Sequence, residues 1–247
     1  MTPRCSIVIP CRNEAGAIAP LLEGVAAAMA PLAPFEVIVV DDGSDDDTAR
    51  IVLDMAAARP WLRLLCHPRT GGQSAAIHNG VLAARAPLIA TMDGDGQNPP
   101  EELPRLLAPL LDPGPGAPPD LGLVAGQRVG RKDPASRRVA SVLANRLRAA
   151  VLGDTTRDTG CGLKAFRRDA YLALPFFNHQ HRYLPALFAR DGWGVALIDV
   201  SHRPRRAGRS NYSNWQRGLV GVADLAGVAW LIRRRKTVRA VERKAEP

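Results

Sequence analysis

Aromatic residues are scarce in this 247-residue chain: five Phe, four Trp and three Tyr make 5%. Proteins that read single-stranded RNA stack bases on surface aromatics, and this chain has few such platforms and no RNP-type run. Cysteine is also scarce. Cys5, Cys11, Cys66 and Cys161 are scattered with no CxxC pair, which argues against a structural zinc site and against a disulfide scaffold. Each reads as a small buried hydrophobe in a reducing compartment. The five histidines show no metal-ligand spacing. His179 and His181, in NHQHRY, read as structural residues before contacts to a ligand, because no carboxylate or Cys lies beside them to complete a site. Long apolar runs are absent too. The nearest, residues 218–232, is interrupted by Asp224 and falls short of the roughly 20 residues that span a bilayer. The opening MTPRCSIVIPC is too short for the apolar core of a signal peptide and reads as a strand. The expectation is a cytoplasmic, non-spanning protein without internal repeats.

What is present is a normal apolar fraction and an excess of positive charge. Apolar residues reach 46%, enough for a packed core. The net charge is +9, and the 15 residues from Arg233 to Pro247 hold seven basic residues against two acidic ones. Two further basic clusters are Arg128, Arg131, Lys132, Arg137 and Arg138, and Arg203, Arg205, Arg206 and Arg209. Nucleic acid, an anionic membrane and phosphorylated small molecules all suit such clusters.

Strand-like runs alternate with helical patterns along the first half. Strands are expected at residues 6–10, 35–40, 62–66, 87–92 and 121–126. Helices are expected at 14–30, 46–58, 74–84 and 101–111, with a Pro- and Gly-rich loop at 112–120. A basic helix follows at 135–152, then strands at 162–166 and 194–200 and a final helix at 213–235. This alternation predicts an α/β fold with a mostly parallel sheet and helices on both faces. Ligands of such sheets sit beyond the carboxyl ends of the strands. Acidic residues collect at two of those ends: Asp41 and Asp42 in VVDDGSDDDT, and Asp93 and Asp95 in TMDGDGQNPP. Two carboxylates two residues apart beside glycines suit one hard cation whose shell is completed by phosphate oxygens and water. A metal-bridged diphosphate is the natural ligand.

The ordered set IPCRNE (9–14), VVDDGSDDDT (39–48), GGQSAAIHNG (71–80), MDGDGQNPPE (92–101) and DTGCGLKAFRR (158–168) resembles the family 2 glycosyltransferases, and among them the polyprenyl-phosphate sugar synthases. The likeness runs over about residues 5–212. It implies a nucleotide-sugar-binding GT-A domain at 1–212, followed by an amphipathic helix and basic tail at 213–247. It implies that Pro10, Asn13, Glu14, Asp42 and Gly72 line the nucleotide-sugar pocket. Asp93, Asp95 and Gln97 match the metal-binding DxDxQ pattern, with Mg²⁺ or Mn²⁺ as the ion. Arg128 and Arg137, with Ser141 one turn later, match positions that hold an acceptor phosphate, and Arg138 is the adjacent alternative to Arg137. Arg205, in RPRRAGRSNY, matches the Arg of an R-x-x-G-x-S stretch that closes over the donor diphosphate.

The implied reaction is an inverting, metal-dependent transfer of a sugar from GDP-mannose or a UDP-sugar to dolichyl or undecaprenyl phosphate. A phosphate acceptor is already an anion at pH 7, since its second pKa is about 6, and needs no general base. Asp93, Asp95, Arg128, Arg137 and Arg205 are then the groups that bring two phosphates together and stabilise the departing diphosphate. With a hydroxyl acceptor on a glycan or lipid, Asp158 would be the base. A nucleic-acid-binding protein is the reading from a different class, and the poverty in aromatics speaks against it. Two departures from the pattern, the glycines of DGDG and Cys161 in CGLKAF, are expected to bear on the choice of sugar or lipid. Many relatives carry membrane-spanning helices after the catalytic domain. Here an apolar-faced helix ending in RRRK takes that place, a composition suited to lying in a membrane interface or docking on the domain. The expected location is peripheral, on the cytoplasmic face of the membrane.

Overall fold

The computed structural model describes residues 2–116, 118, 120–129, 148–154, 156–203, 214–235 and 238, without the side chains of 214–220. Seven strands form one sheet: β1 (Cys5–Cys11), β2 (Phe35–Asp41), β3 (Leu62–Cys66), β4 (Leu88–Thr91), β5 (Leu121–Arg128), β6 (Lys164–Arg167) and β7 (Gly194–Val200). Their order is β3-β2-β1-β4-β6-β5-β7. Every pairing is parallel except those of β6, which runs antiparallel to β4 and β5. The reversal matters for the site. It brings the amino end of β6, and the loop before it, to the edge where the other strands present their carboxyl ends.

Between the half-buried edge strands β3 and β7, the strands are buried on both faces, which is why they read as apolar runs rather than alternations. Ile7, Ile9, Val37 and Val39 face α1 (Ile18–Met29) and α4 (Glu102–Leu111), with Leu22, Val25, Leu103 and Leu106 in the same core. Val8, Ile38 and Val40 face the other way, onto α3 (Gln73–Ala83). Each such fully buried side chain contributes about 1.5–3 kcal/mol relative to exposure. The first face also takes in α2 (Thr48–Ala56) through Val52. The second holds three further helices: α5 (Arg168–Leu172), α6 (Leu184–Arg190) and α7 (Asn214–Arg233), through Tyr171, Phe188 and Val228.

Two of these helices go beyond the pattern in the sequence. With five residues, α5 is too short for a periodicity to show. In α6, Leu184 through Phe188 are all buried, so no polar face marks it as a helix. The first helix begins at Ile18 rather than residue 14, because the preceding amides are captured by the β2–α2 loop and the first residue of α2. Glu14 N–H donates to Thr48 Oγ1 at 2.8 Å and Ala15 N–H to Asp46 Oδ2 at 3.1 Å. Of the basic helix expected at 135–152, residues 148–152 are described and helical.

Pro10 sits within β1 without breaking the sheet. Val8 O accepts from Met92 N–H, and β4 ends opposite Val8, at Thr91. Pro10 turns its N toward the same side, two residues beyond the last β4 partner, where no ladder bond is required.

Candidate active site

The carboxyl ends of β1, β2 and β3 stop level with one another, Cys11 opposite Asp41 and Asp41 opposite Cys66. The loops that follow bind each other. Asn13 takes up a left-handed conformation (φ +57°), a geometry that Asn tolerates better than most residues. Its N–H donates to Ser44 Oγ at 2.9 Å while its Oδ1 accepts from Asp45 N–H at 2.9 Å. The backbone that carries Pro10, Asn13 and Glu14 is thereby clamped to the loop after β2.

Asp42 has a different surrounding from the one expected of a ligand contact. It is buried, and its carboxylate accepts from Gly71 N–H (2.7 Å), Gly72 N–H (2.9 Å) and Thr70 Oγ1 (2.7 Å), with His67 Nδ1 also at 2.7 Å. A carboxylate has about four acceptor positions, and all four are met within the chain. Burial raises its pKa, but these bonds outweigh it and hold the group below the usual carboxylate range. Asp42 therefore fixes the 67–72 loop that leads into α3, and Gly72 shares the site through that loop.

Asp93 follows β4. It is half-buried, with Gln73 Nε2 donating to Oδ1 at 2.7 Å and Asn98 Nδ2 to Oδ2 at 3.3 Å. Burial raises its pKa and the neighbouring Asp95 raises it further, against the lowering effect of Lys164 and Arg128. Asp95 Oδ1 accepts from Gln97 N–H at 3.1 Å. The two glycines around this pair have packing reasons. A Cβ on Gly94 would lie 2.8 Å from Cys11 Cβ and 3.1 Å from Pro10 O, so the loop rests directly on the end of β1. A Cβ on Gly162 would lie 2.4 Å from the Asp93 carboxylate. The glycine of the DxD and the one after Cys161 are thus required by close approach within this chain. Gly162→Ala is expected to lower turnover about tenfold or more by displacing Asp93, in line with the 1–3 kcal/mol of typical overpacking; steady-state kinetics beside a thermal melt check it.

Arg128 closes β5 and forks onto Asp158, Nε to Oδ2 at 2.5 Å and Nη2 to Oδ1 at 2.9 Å. Buried Gln127 holds the partner loop, its Oε1 accepting from Arg157 N–H and Asp158 N–H. Lys164, at the start of β6, is buried, and Nζ donates to Cys161 O. Burial pulls its ammonium below the usual lysine range, partly offset by Cys161, Asp93 and Asp158. Thr91 Oγ1 binds Gly162 O at 2.7 Å and so joins the β4 end to this loop. After β7, Arg203 N–H donates to Gln97 O at 2.9 Å, which lays the start of the RPRRAGRSNY stretch against the DGDGQ loop.

Pro10, Asn13, Glu14, Asp42, Gly72, Asp93, Asp95, Gln97 and Arg128 accordingly share one edge of the sheet. Arg137, Arg138, Ser141 and Arg205 lie outside the described residues. Gln73, Asn98, Gly162 and Lys164 were not singled out from sequence. Their signals were present: all four lie inside motifs chosen for their acids or glycines, and Lys164 is besides an isolated charge in the apolar run GLKAF.

Among the described residues, no three His, Cys, Asp or Glu side chains gather around one point as a metal cage. Two carboxylates side by side, one of them made less acidic by the other, still fit a hard divalent cation, provided a diphosphate and water supply the other oxygens.

Residues 6–174 match the sequence model of glycosyl transferase family 2. Dodecaprenyl-phosphate galacturonate synthase of Rhizobium johnstonii is 34% identical over 239 residues, 92% of this chain and 67% of that protein. Undecaprenyl-phosphate 4-deoxy-4-formamido-L-arabinose transferase of Klebsiella pneumoniae is 35% identical over 212 residues, 85% of this chain and 63% of its own length. Among solved structures, glucosyl-3-phosphoglycerate synthase of Mycobacterium tuberculosis, in complex with Mn²⁺, UDP-glucose and phosphoglyceric acid, superposes with a TM-score of 0.65 at 23% identity, covering 92% of this chain and 80% of that one. Mannosyl-3-phosphoglycerate synthase of Rubrobacter xylanophilus gives 0.67 at 17% identity, covering 98% and 78%.

Proposed function

Because this chain belongs to glycosyl transferase family 2, we propose that it moves a sugar from a nucleotide sugar to a polyprenyl phosphate, with inversion in a single displacement. The observation that carries the reading is the gathering of Asp93, Asp95 and Arg128 at one sheet edge. The names of the two relatives at 34% and 35% identity, each a polyprenyl-phosphate enzyme, supply the acceptor class.

In this reading Asp93, Asp95 and Gln97 would hold Mg²⁺ or Mn²⁺, which would supply positive charge to offset that of the departing nucleoside diphosphate. Asn13 and Glu14 line the nucleotide side with Pro10, and Asp42 shapes it through the Gly71–Gly72 backbone. Arg128 receives the acceptor phosphate, with Arg137 and Ser141 as its partners, and Arg205 closes over the diphosphate. Guanidinium suits this work because its five N–H donors let Arg128 hold Asp158 through Nε and Nη2 and still offer donors to a phosphate. The acceptor arrives as an anion, so no side chain has to remove a proton. The Arg128 fork on both Asp158 oxygens agrees with this: a carboxylate so engaged is poorly placed as a base toward a hydroxyl. The test is release of nucleoside diphosphate from a panel of GDP- and UDP-sugars. Release that depends on undecaprenyl phosphate and stops with EDTA supports the reading; release with no need for the lipid phosphate overturns it.

The acceptor places the work at a membrane surface, and α7 offers a face for it. No described helix is long and apolar enough to cross a membrane. The inner side of α7 docks on the domain through Val228, and Arg190 Nε donates to Leu231 O at 2.9 Å. Its outer side exposes Val222 and Trp230, 67% and 60% accessible, with Ala223, Ala226 and Gly227 between them and Arg233 and Arg234 beyond. An apolar strip that ends in basic residues fits the interface of an anionic bilayer, where each Arg adds about 1 kcal/mol. Vesicles containing phosphatidylglycerol are expected to sediment the protein, phosphatidylcholine vesicles far less, and Trp230→Glu to weaken binding several-fold. Equal binding to both lipids would contradict the assignment.

A further inference from the structure

Ser74 and His181 stand outside the roles assigned above, 107 residues apart in sequence and in direct contact. Ser74 is buried in the first turn of α3, immediately after Gln73. Its Oγ lies 2.7 Å from His181 Nδ1 and accepts from His181 N–H at 3.3 Å. The hydroxyl can donate to a bare Nδ1 or accept from a protonated one, so the contact holds in either tautomer of a neutral ring. Burial, with Lys164, Arg182 and His179 nearby, holds the His181 pKa well below its ordinary value, so the ring is neutral at working pH.

His181 is carried by a 3₁₀ turn, Gln180–Arg182. The residue before it, His179, is left-handed at φ +66°, a conformation that holds only where its surroundings fix it. His179 Nδ1 meets Asp224 Oδ2 of α7 at 2.9 Å. On the other side Gln73 Nε2 reaches Asp93 Oδ1 at 2.7 Å. A continuous line of contacts thus runs from α7 through one short turn and the start of α3 to the Asp93 carboxylate.

We propose that Ser74 and His181 are a positioning pair: they fix the first turn of α3, so that Gln73 holds the Asp93 carboxylate in register, and the His179–Asp224 contact extends this restraint to α7. Asp93 needs such support. It lies beside a second acid and against Gly162, where a small displacement meets backbone. The kinetic part of the inference rests on the transferase reading; the structural part does not.

The test compares Ser74→Ala, His181→Ala, the double variant and His181→Asn, whose amide occupies the Nδ1 position. Hydrogen exchange of amides 73–77 is read on the metal-free protein, and kcat and donor KM in the transfer assay. Each single alanine variant is expected to speed exchange in that turn about tenfold and to lower kcat about tenfold with little change in donor KM; the double variant adds little further, as expected for groups acting as one unit. His181→Asn is expected to restore most of both. Asp224→Asn is expected to speed the same amides two- to threefold, about the weight of one half-exposed hydrogen bond. Additive losses, a lowered thermal midpoint with unchanged kcat and exchange, or no rescue by Asn would overturn the pair. Unchanged exchange in Asp224→Asn would overturn the extension to α7. A wild-type protein that transfers no sugar defeats the transferase reading alone, since the exchange result still decides the pair.

Discussion

Asp95→Ala is expected to reduce turnover at least ~100-fold while making the folded protein more stable. The two effects share one cause. Burial and then the Asp95 charge raise the Asp93 pKa, so at neutral pH two carboxylates are held together at a cost. A raised carboxylate pKa means that the folded state disfavours the ionised form above the unfolded pKa of about 4. Removing Asp95 relieves that repulsion at every pH where Asp93 is ionised. For a protein of this size the thermal midpoint of the metal-free variant should rise by about 2 °C for each kcal/mol gained. Opposite signs on activity and stability mark residues selected for chemistry rather than packing. Near-normal turnover would remove Asp95 from the site, and a lower midpoint would show that it supports the fold.

Arg128→Ala is expected to cost about 100-fold in kcat/KM for the lipid phosphate, near the 2–5 kcal/mol seen when one partner of an enclosed charge pair is truncated. Arg128→Lys should recover little, because an ammonium cannot reproduce the fork that meets Asp158 through two nitrogens. Asp158→Asn separates the two acceptor chemistries. If Asp158 orients Arg128, the variant loses about tenfold and keeps its pH profile. If Asp158 takes a proton from a hydroxyl acceptor, activity falls much further and the acidic limb of the profile disappears. The first result is the expected one.

The sheet was legible because its inner strands are largely apolar runs buried on both sides, and the turn-rich segments between them mark their ends. The reversal of β6 was not legible: direction is set by which neighbours Lys164 and Phe166 pair with, and no residue in GLKAF encodes that. The acids of the site could be read because charge at the end of a buried strand has few structural reasons. The residues that steady those acids could not. Gln73, Asn98 and Ser74 are ordinary polar residues whose partners lie between 5 and 107 residues away. Asp42 shows the converse. Its position in DDGS was plain, yet only the structure reveals four donors from the 67–72 loop filling its carboxylate. Gly94 looked like a variation in a motif and Gly162 stood unremarked beside Cys161, and they are close contacts to Cys11 and Asp93.

The central claim is that the acceptor is a phosphate anion, activated without a base at an edge built from Asp93, Asp95 and Arg128. The most direct measurement offers the purified protein undecaprenyl phosphate and undecaprenol side by side, in detergent, with GDP- and UDP-sugars and Mn²⁺ or Mg²⁺. Products are read by mass spectrometry, with an EDTA control. The account predicts an EDTA-sensitive sugar phosphodiester from undecaprenyl phosphate and no glycoside from undecaprenol. A glycoside of the alcohol, or transfer that survives EDTA, would contradict it.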